Sequence, residues 1–166
     1  MKIGIIGKGF VGTALANALT CEVIVSDPEL NGVRAVDLDY KALGAVFICV
    51  PTPVGKYGAV DASIIWKVLE DIPKDILTII KSTVTPDHLL KMAKDRRIVF
   101  NPEFLTQRSA TEDFIHCDSL IFGGEVDVYE PIAPTVHHPW RVVARLTGDI
   151  VGRLKTRAYS LGCSWA

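Results

Sequence analysis

Short apolar runs alternate along the chain with segments whose apolar residues recur at helical spacing. The run over residues 45–50 is apolar throughout, which is typical of a parallel strand buried on both faces. Alternating strand and helix patterns of this kind indicate an α/β fold with a doubly wound, mainly parallel sheet. We predict its strands near residues 2–6, 22–26, 45–50, 76–80, 97–100 and 119–122, within a domain that covers residues 1–124.

A glycine-rich turn separates the first strand from the first helix. It follows the G-x-G-x-x-G pattern and reads Gly7-Lys8-Gly9-Phe10-Val11-Gly12. Gly7 permits the tight turn, Gly9 lets backbone approach a pyrophosphate, and Gly12 lets the helix pack closely on the strand. The N-terminus of that helix offers unpaired N–H groups to phosphate. The turn therefore predicts a Rossmann-type dinucleotide site; the alternative is that its glycines only tighten the connection.

An acidic residue ends the second predicted strand. Asp27 lies about 20 residues after Gly7, where a carboxylate accepts hydrogen bonds from a ribose diol. A 2′-phosphate there would meet a like charge, so the sequence predicts NAD rather than NADP as the cofactor. The alternative is that Asp27 only caps a loop.

Polar residues follow the third, fourth and fifth predicted strands, at the edge where ligands of open α/β sheets gather. Thr52 stands between Pro51 and Pro53, while Thr83 and Glu103 follow the next two strands. We expect Thr52, Thr83 and Glu103 to converge on one crevice. A carboxylate at position 103 can accept a proton or hold a water. Equally, it fits an acid favoured by a helix start, and Thr52 fits a rigid turn.

Composition narrows the function classes. With 49% hydrophobic and 22% charged residues, the 166-residue chain is typical of one globular domain. A net charge of -1 gives no electrostatic case for nucleic acid or an anionic membrane, and no apolar run approaches a membrane span. A strand directly at the N-terminus argues against a signal peptide, so we expect a cytoplasmic protein. No C-x-x-C spacing suggests a metal site among the cysteines, which are Cys21, Cys49, Cys117 and Cys163.

Five features along the chain occur together in one known family. They are the glycine turn, Asp27, Val50-Pro51-Thr52-Pro53, Lys81-Ser82-Thr83-Val84 and Asn101-Pro102-Glu103-Phe104-Leu105. In this order and approximate spacing, the set resembles the N-terminal domain of the UDP-glucose/GDP-mannose dehydrogenase family, and within it the UDP-glucose 6-dehydrogenases most closely. The resemblance covers residues 1–124.

The resemblance implies a reaction and a role for each motif. The family oxidises the primary alcohol of a sugar nucleotide to a carboxylate with two NAD molecules in turn. By resemblance, Asp27 binds the adenosine ribose, and the NAD pyrophosphate is held by Gly7, Gly9, Phe10, Val11 and Gly12. The nicotinamide side is then lined by Val50, Pro51, Thr52, Ser82 and Thr83. Proton handling falls to Glu103 with a water near Thr83, and contacts to the sugar nucleotide fall to Glu103, Phe104, Leu105 and Thr106.

The chain departs from the family pattern in several places, which include Thr85-Pro86 and Cys117 and Ser119 around Asp118. Gln107 and Arg108 stand where the family continues with an acid and a glycine. The G-G-x-C-x-P-K-D string that carries the family's nucleophilic cysteine is absent, and no P-K-D follows Cys163. Residues 125–166 match none of the motifs, although residues 142–161 have the spacing of a helix.

We therefore expect the NAD-binding part of a UDP-glucose 6-dehydrogenase-like oxidoreductase that does not complete the reaction alone. Its expected substrate is a UDP-sugar, and UDP-glucose is the favoured one. Its expected protein partner is either a second copy of the chain or a complementary chain. Two alternatives stay open. One is a non-catalytic NAD-binding or interaction module, and the other is a different small NAD-dependent hydroxyacid dehydrogenase.

Overall fold

A computed structural model describes residues 1–102, 108–115, 119–120, 122–124 and 141–142. Five parallel strands form its central sheet in the order β2-β1-β3-β4-β5. The strands are β1 (Lys2–Ile6), β2 (Glu22–Ser26), β3 (Leu43–Ile48), β4 (Thr78–Ile80) and β5 (Ile98–Phe100). The helices are α1 (Phe10–Ala18), α2 (Ser63–Asp71), α3 (Pro86–Met92) and α4 (Ala110–Ile115), with 3-10 turns at Ala35–Asp37, Tyr40–Ala42 and Lys56–Gly58.

Helices cover both faces of the sheet, so the predicted doubly wound α/β fold is confirmed. The cause is the alternation of apolar side chains along each strand, since neighbouring residues of a strand point to opposite faces. On one face, α1 and α4 pack against a buried cluster that includes Ile3, Ile5, Phe47, Ile79 and Val99. On the other, α2 and α3 pack against a cluster that includes Ile6, Val46, Ile48, Ile80 and Phe100.

The order of the strands places a topological switch point beside β1. Its neighbours are β2 on one side and β3 on the other. The strand that follows β1 is added on one side of it, and all later strands of the sheet are added on the other side. The backbone pairing continues past the strand ends, because Gly7 N donates to Ser26 O at 2.9 Å and Cys49 N donates to Ile6 O at 2.8 Å. In open α/β sheets the ligand crevice lies at the carboxyl ends of strands at such a point.

The strand boundaries follow the sequence prediction most closely near the N-terminus. Strands β1 and β2 have the predicted bounds, residues 2–6 and 22–26. Strand β3 starts two residues earlier than predicted, because Leu43 already pairs with Lys2 before a register shift. Strand β4 starts later, because a turn in which Ile76 N donates to Pro73 O precedes it.

The prediction that residues 119–122 form a sixth strand of the parallel sheet is wrong. Ser119–Leu120 is a short strand, β6, that pairs in parallel with β7 (Arg141–Val142) in a separate two-stranded sheet. Gly123 then makes an isolated antiparallel bridge with Phe100. An apolar run indicates a strand but not its partner, and here the partner lies more than twenty residues downstream.

The expected helix over residues 142–161 and the search for a membrane-spanning helix can be compared with the structure only over the described residues. Val142, where a helix was expected to begin, belongs to β7, and the rest of residues 143–161 lies outside the described residues. Over the described parts of the chain, the model contains no helix with the length and apolar character needed to cross a membrane.

A buried tyrosine gives a test of the packing between the sheet and the chain that follows β2. The Tyr40 hydroxyl donates to Ala35 O at 2.8 Å, and burial, together with the negative charge of Asp71, raises the Tyr40 pKa to about 12. An unfolded tyrosine ionises near pH ~10. The stabilising effect of neutral Tyr40 is therefore complete below that pH and is lost as the pH rises toward the folded pKa.

We expect Tyr40→Phe to lower the free energy of unfolding by about 1 kcal/mol near neutral pH, because one buried hydrogen bond is lost. The difference between wild type and variant should then shrink between about pH 10 and pH 12, because phenylalanine does not ionise. Urea denaturation over that pH range measures it. A difference that stays constant across the range would contradict this account of Tyr40.

Candidate functional site

Two glycines of the turn after β1 are required by the fold itself. Gly7 has a φ of 89°, and a Cβ on it would lie 2.8 Å from Cys49 O. A Cβ on Gly12 would lie 2.1 Å from Gly7 O. Both contacts are with backbone, which cannot move aside cheaply, and L residues with side chains rarely adopt such a φ. The predicted tight turn and the close packing of helix on strand are therefore present.

The middle glycine of the turn has no such internal reason. A Cβ on Gly9 would meet none of the described atoms within 4 Å, and its φ of -66° suits any residue. The hypothesis that the glycines only tighten the connection accounts for Gly7 and Gly12 but not for Gly9. A missing side chain at this point keeps the space beside the start of α1 open to a ligand.

The N-terminus of α1 presents backbone donors toward that open space. Gly9 is its N-cap, no side chain in the described part of the chain caps it, and its first turn contains no acidic residue. The helical ladder begins only with Thr13 N, which donates to Gly9 O at 2.9 Å. The N–H groups of the first turn and the positive end of the helix dipole are thus arranged as they are in phosphate sites.

Asp27 lies against the glycine turn. Its Oδ2 accepts from Lys8 N at 2.7 Å, and its Oδ1 accepts from Glu29 N at 3.1 Å and Leu30 N at 3.2 Å. Asp27 therefore does cap its own loop, as the alternative reading held. Each carboxylate oxygen has about two acceptor positions, so Oδ2 retains one beside the turn. The two roles are compatible, and the predicted one remains a prediction.

The turns that leave β3 and β4 lie at the carboxyl edge of the sheet, on the side where the opposite wall of the predicted crevice is expected. Val50 and Ser82 are buried, and the Ser82 hydroxyl lies 2.7 Å from Val50 O and 3.3 Å from Ile48 O. Thr52 is half-buried, whereas Pro51 and Thr83 are exposed. The structure thus brings two of the predicted nicotinamide-side residues into direct contact and places the other three in the same two turns.

Sequence reasoning missed a buried lysine in this wall. Lys81 is 1% exposed, and its Nζ lies 3.0 Å from Asn101 Oδ1 and 3.4 Å from Asn101 O. Asn101 is equally buried and follows β5 directly. The available signal was a lysine that follows an apolar strand without any intervening residue, paired with an asparagine in the same position after the next strand.

The remaining predicted site residues are Glu103, Phe104, Leu105 and Thr106, and they lie outside the described residues. Their predicted roles stay predictions. Of the residues flanking them, Asn101 and Pro102 are buried and Arg108 is exposed.

Comparison with known proteins points to one family. Residues 23–141 match the model of the UDP-glucose/GDP-mannose dehydrogenase family, NAD binding domain. The matched range includes Asp27, Lys81 and Asn101 but begins after the glycine turn, so the geometry of that turn is an independent observation.

Individual relatives agree with the family match. The UDP-glucose 6-dehydrogenase of Rickettsia conorii is 36% identical over 118 residues, which are 64% of this chain and 27% of that protein. The Rickettsia felis protein of the same name is 37% identical over 106 residues, which are 57% of this chain and 24% of that protein. The chain thus spans about a quarter of the length of these relatives.

Solved structures share the fold at low sequence identity. A GDP-mannose dehydrogenase from Pseudomonas aeruginosa superposes with a TM-score of 0.72 at 20% identity, over 98% of this chain and 50% of that one. A UDP-glucose dehydrogenase from Pyrobaculum islandicum gives 0.64 at 22% identity, over 85% of this chain and 45% of that one.

The different surroundings of Gly9 and Gly12 generate a paired prediction. Gly9→Ala should leave the free energy of unfolding within about 1 kcal/mol of wild type, because its Cβ enters open space. It should weaken dinucleotide binding by about tenfold or more, because that space is where the pyrophosphate is expected. Calorimetric titration with NAD and thermal denaturation measure the two effects.

Gly12→Ala is the matched variant. It should lower the free energy of unfolding by about 3 kcal/mol or more, because its Cβ would overlap a backbone oxygen. If Gly9→Ala and Gly12→Ala destabilised the chain equally, or if Gly9→Ala bound NAD as wild type does, this division of roles would be wrong.

Proposed function

Because the chain belongs to the UDP-glucose/GDP-mannose dehydrogenase family and carries its NAD-binding domain, we propose that it holds NAD across the switch point beside β1, as the cofactor half of a UDP-sugar dehydrogenase. The observation that carries this proposal is the open cradle at Gly9, flanked by the uncapped start of α1 and by Asp27. A fold-imposed turn needs glycine at positions 7 and 12 only, whereas a bound pyrophosphate explains all three positions.

The two ends of the cofactor would meet different parts of the chain. The N–H groups of Phe10, Val11 and Gly12 would hold the pyrophosphate through hydrogen bonds and the helix dipole. Asp27 would accept from the adenosine ribose. When bound, NAD supplies the hydride acceptor, and the chain contributes orientation of its nicotinamide half through the turns that contain Thr52 and Ser82.

The substrate proposal rests on the relatives. Two of them are named UDP-glucose 6-dehydrogenase. On this basis, the proposed substrate of the complete reaction is a UDP-sugar, and UDP-glucose is the favoured one. Glu103, with Thr83, is proposed to handle the proton released as the alcohol is oxidised. Phe104, Leu105 and Thr106 are proposed to contact the sugar nucleotide.

The second oxidation requires a nucleophile that this chain does not present in an obvious setting. Formation of a thiohemiacetal needs an activated thiolate beside the nicotinamide. Cys21 is half-buried before β2 at the amino end of the sheet, and Cys49 takes part in the backbone ladder beneath the glycine turn. Cys117 and Cys163 lie outside the described residues. We therefore propose that the nucleophile for the second oxidation comes from outside the described residues, with a second copy of the chain or a complementary chain as candidate sources.

Asp27 gives a test of cofactor choice. The wild-type chain should bind NAD more tightly than NADP, because the carboxylate accepts from a ribose diol and repels a 2′-phosphate. Asp27→Ala should weaken NAD binding by about tenfold or more and reduce the difference in affinity between NAD and NADP. Asp27→Asn, which keeps one oxygen acceptor, should also narrow it, because the preference depends on charge.

Calorimetry with NAD and with NADP measures these affinities. Asp75→Ala is the control, since it removes an equal charge from an exposed position before β4, at the opposite end of the sheet, and should change neither affinity. Equal affinity of the wild-type chain for NAD and NADP would contradict the assignment of Asp27.

Turnover gives a second test. Pure chain with NAD and UDP-glucose should bind NAD without sustained production of NADH, because the described residues provide neither a wall for most of the sugar nucleotide nor a nucleophile beside the nicotinamide. The near-ultraviolet absorbance of NADH measures turnover. Calorimetry with UDP-glucose alone distinguishes the two alternatives, because a substrate-binding fragment should bind UDP-glucose and a module that binds only NAD should not. Sustained turnover that is abolished by replacing a single cysteine would overturn the proposal and identify the nucleophile.

A further inference from the structure

Side chains join the ends of three neighbouring strands along the far wall of the crevice. We propose that Lys81 is a positioning residue which, together with Ser82 and Asn101, fixes the turns that receive the nicotinamide half of NAD. We name these three residues the strand-end clamp. The inference rests on the proposed NAD site and goes beyond it, because it assigns a role to a buried charge for which no direct contact with the cofactor is proposed.

The backbone already holds the three turns in register. Lys81 N donates to Ile48 O at 2.9 Å, which joins the turn after β4 to the end of β3. Asn101 N donates to Ile80 O at 2.9 Å, which joins the turn after β5 to the end of β4. Ser82 N also donates to Ile48 O, at 3.2 Å. Beyond Ser82 and Asn101, no backbone hydrogen bond among the described residues joins the turns that follow β3, β4 and β5.

Side chains take over where the ladder stops. The Ser82 hydroxyl reaches Val50 O at 2.7 Å and so links the turn after β4 to the turn after β3. The Lys81 ammonium reaches Asn101 Oδ1 at 3.0 Å and Asn101 O at 3.4 Å, and so links it to the turn after β5. All three residues of the clamp are buried. One two-residue segment, Lys81–Ser82, therefore ties together the turns on both of its sides.

Stability alone does not explain a charge at this position. Taking an ammonium out of water is costly, and apolar residues of similar volume often replace buried charges without loss of stability. A lysine has three donors on a long stem, so it can bind two acceptors of another strand end at once, which methionine cannot. The choice of lysine thus favours precise placement of the turns over stability alone.

The clamp lies on one side of the proposed cofactor only. Exposed Thr83 follows Ser82 directly, and buried Pro102 follows Asn101. The pyrophosphate and adenosine ribose are assigned to Gly9 and Asp27, at the ends of β1 and β2. Loosening the clamp should therefore reduce the contribution of the nicotinamide half and leave the ADP-ribose half unchanged.

The experiment compares NAD with ADP-ribose as calorimetric ligands. In wild type we expect NAD to bind more tightly than ADP-ribose. Lys81→Met, which keeps an unbranched side chain of nearly the same length and removes its charge and donors, should weaken NAD binding about fivefold or more while ADP-ribose affinity stays within about twofold. Lys91→Met is the matched control, since it removes an equal charge from the exposed last turn of α3 and should change neither affinity.

Each remaining outcome decides against a specific claim. A Lys81→Met chain that loses affinity for both ligands in the same proportion, or for neither, overturns the inference, as does a wild-type chain that binds both ligands equally. If Lys81→Met does not fold, Ser82→Ala removes a single oxygen of the clamp and should lower the same affinity ratio; an unchanged ratio in that folded variant also overturns it. A wild-type chain that binds neither ligand instead refutes the proposed NAD site.

Discussion

The close approach of α1 to the turn after β1 is the constraint on which the site depends. Gly12 sits over the carbonyl of Gly7, and Gly7 sits over the carbonyl of Cys49, with no room for a side chain at either contact. These two contacts place the start of α1 directly above the point where β1 and β3 end. A bulkier residue at either position would lift the helix away, and its donors would no longer face the crevice at the switch point.

The same turn also determines where the acid lies. Gly7 N donates to Ser26 O, so the residue after Ser26 must stand beside the glycine turn, and Lys8 N then donates to the carboxylate of Asp27. The half of the site assigned to ADP-ribose is thus built from residues 7–27, a short and contiguous stretch. Its geometry follows from local backbone contacts and needs little from the rest of the chain.

The parts of the structure that could be predicted are those with local causes. The bounds of β1 and β2 follow from apolar runs that glycine or a charged residue interrupts, and the roles of Gly7 and Gly12 follow from their spacing. The prediction that the sixth strand joins the parallel sheet was wrong, because this strand pairs with Arg141–Val142, which no pattern near residue 119 could indicate. Lys81 was missed because a lysine in a turn normally faces water, and its burial depends on Asn101, twenty residues later.

This difference between local and distant causes separates the two halves of the proposed site. The proposed contacts to ADP-ribose involve a single βαβ unit, so they depend little on distant segments of the chain. The proposed contacts to the nicotinamide involve the turns after β3, β4 and β5, which buried polar side chains join across the sheet. Hydride transfer tolerates only small errors in placement. Binding of the cofactor is therefore the more robust property of this domain, and orientation of its reactive ring is the property that its buried polar residues protect.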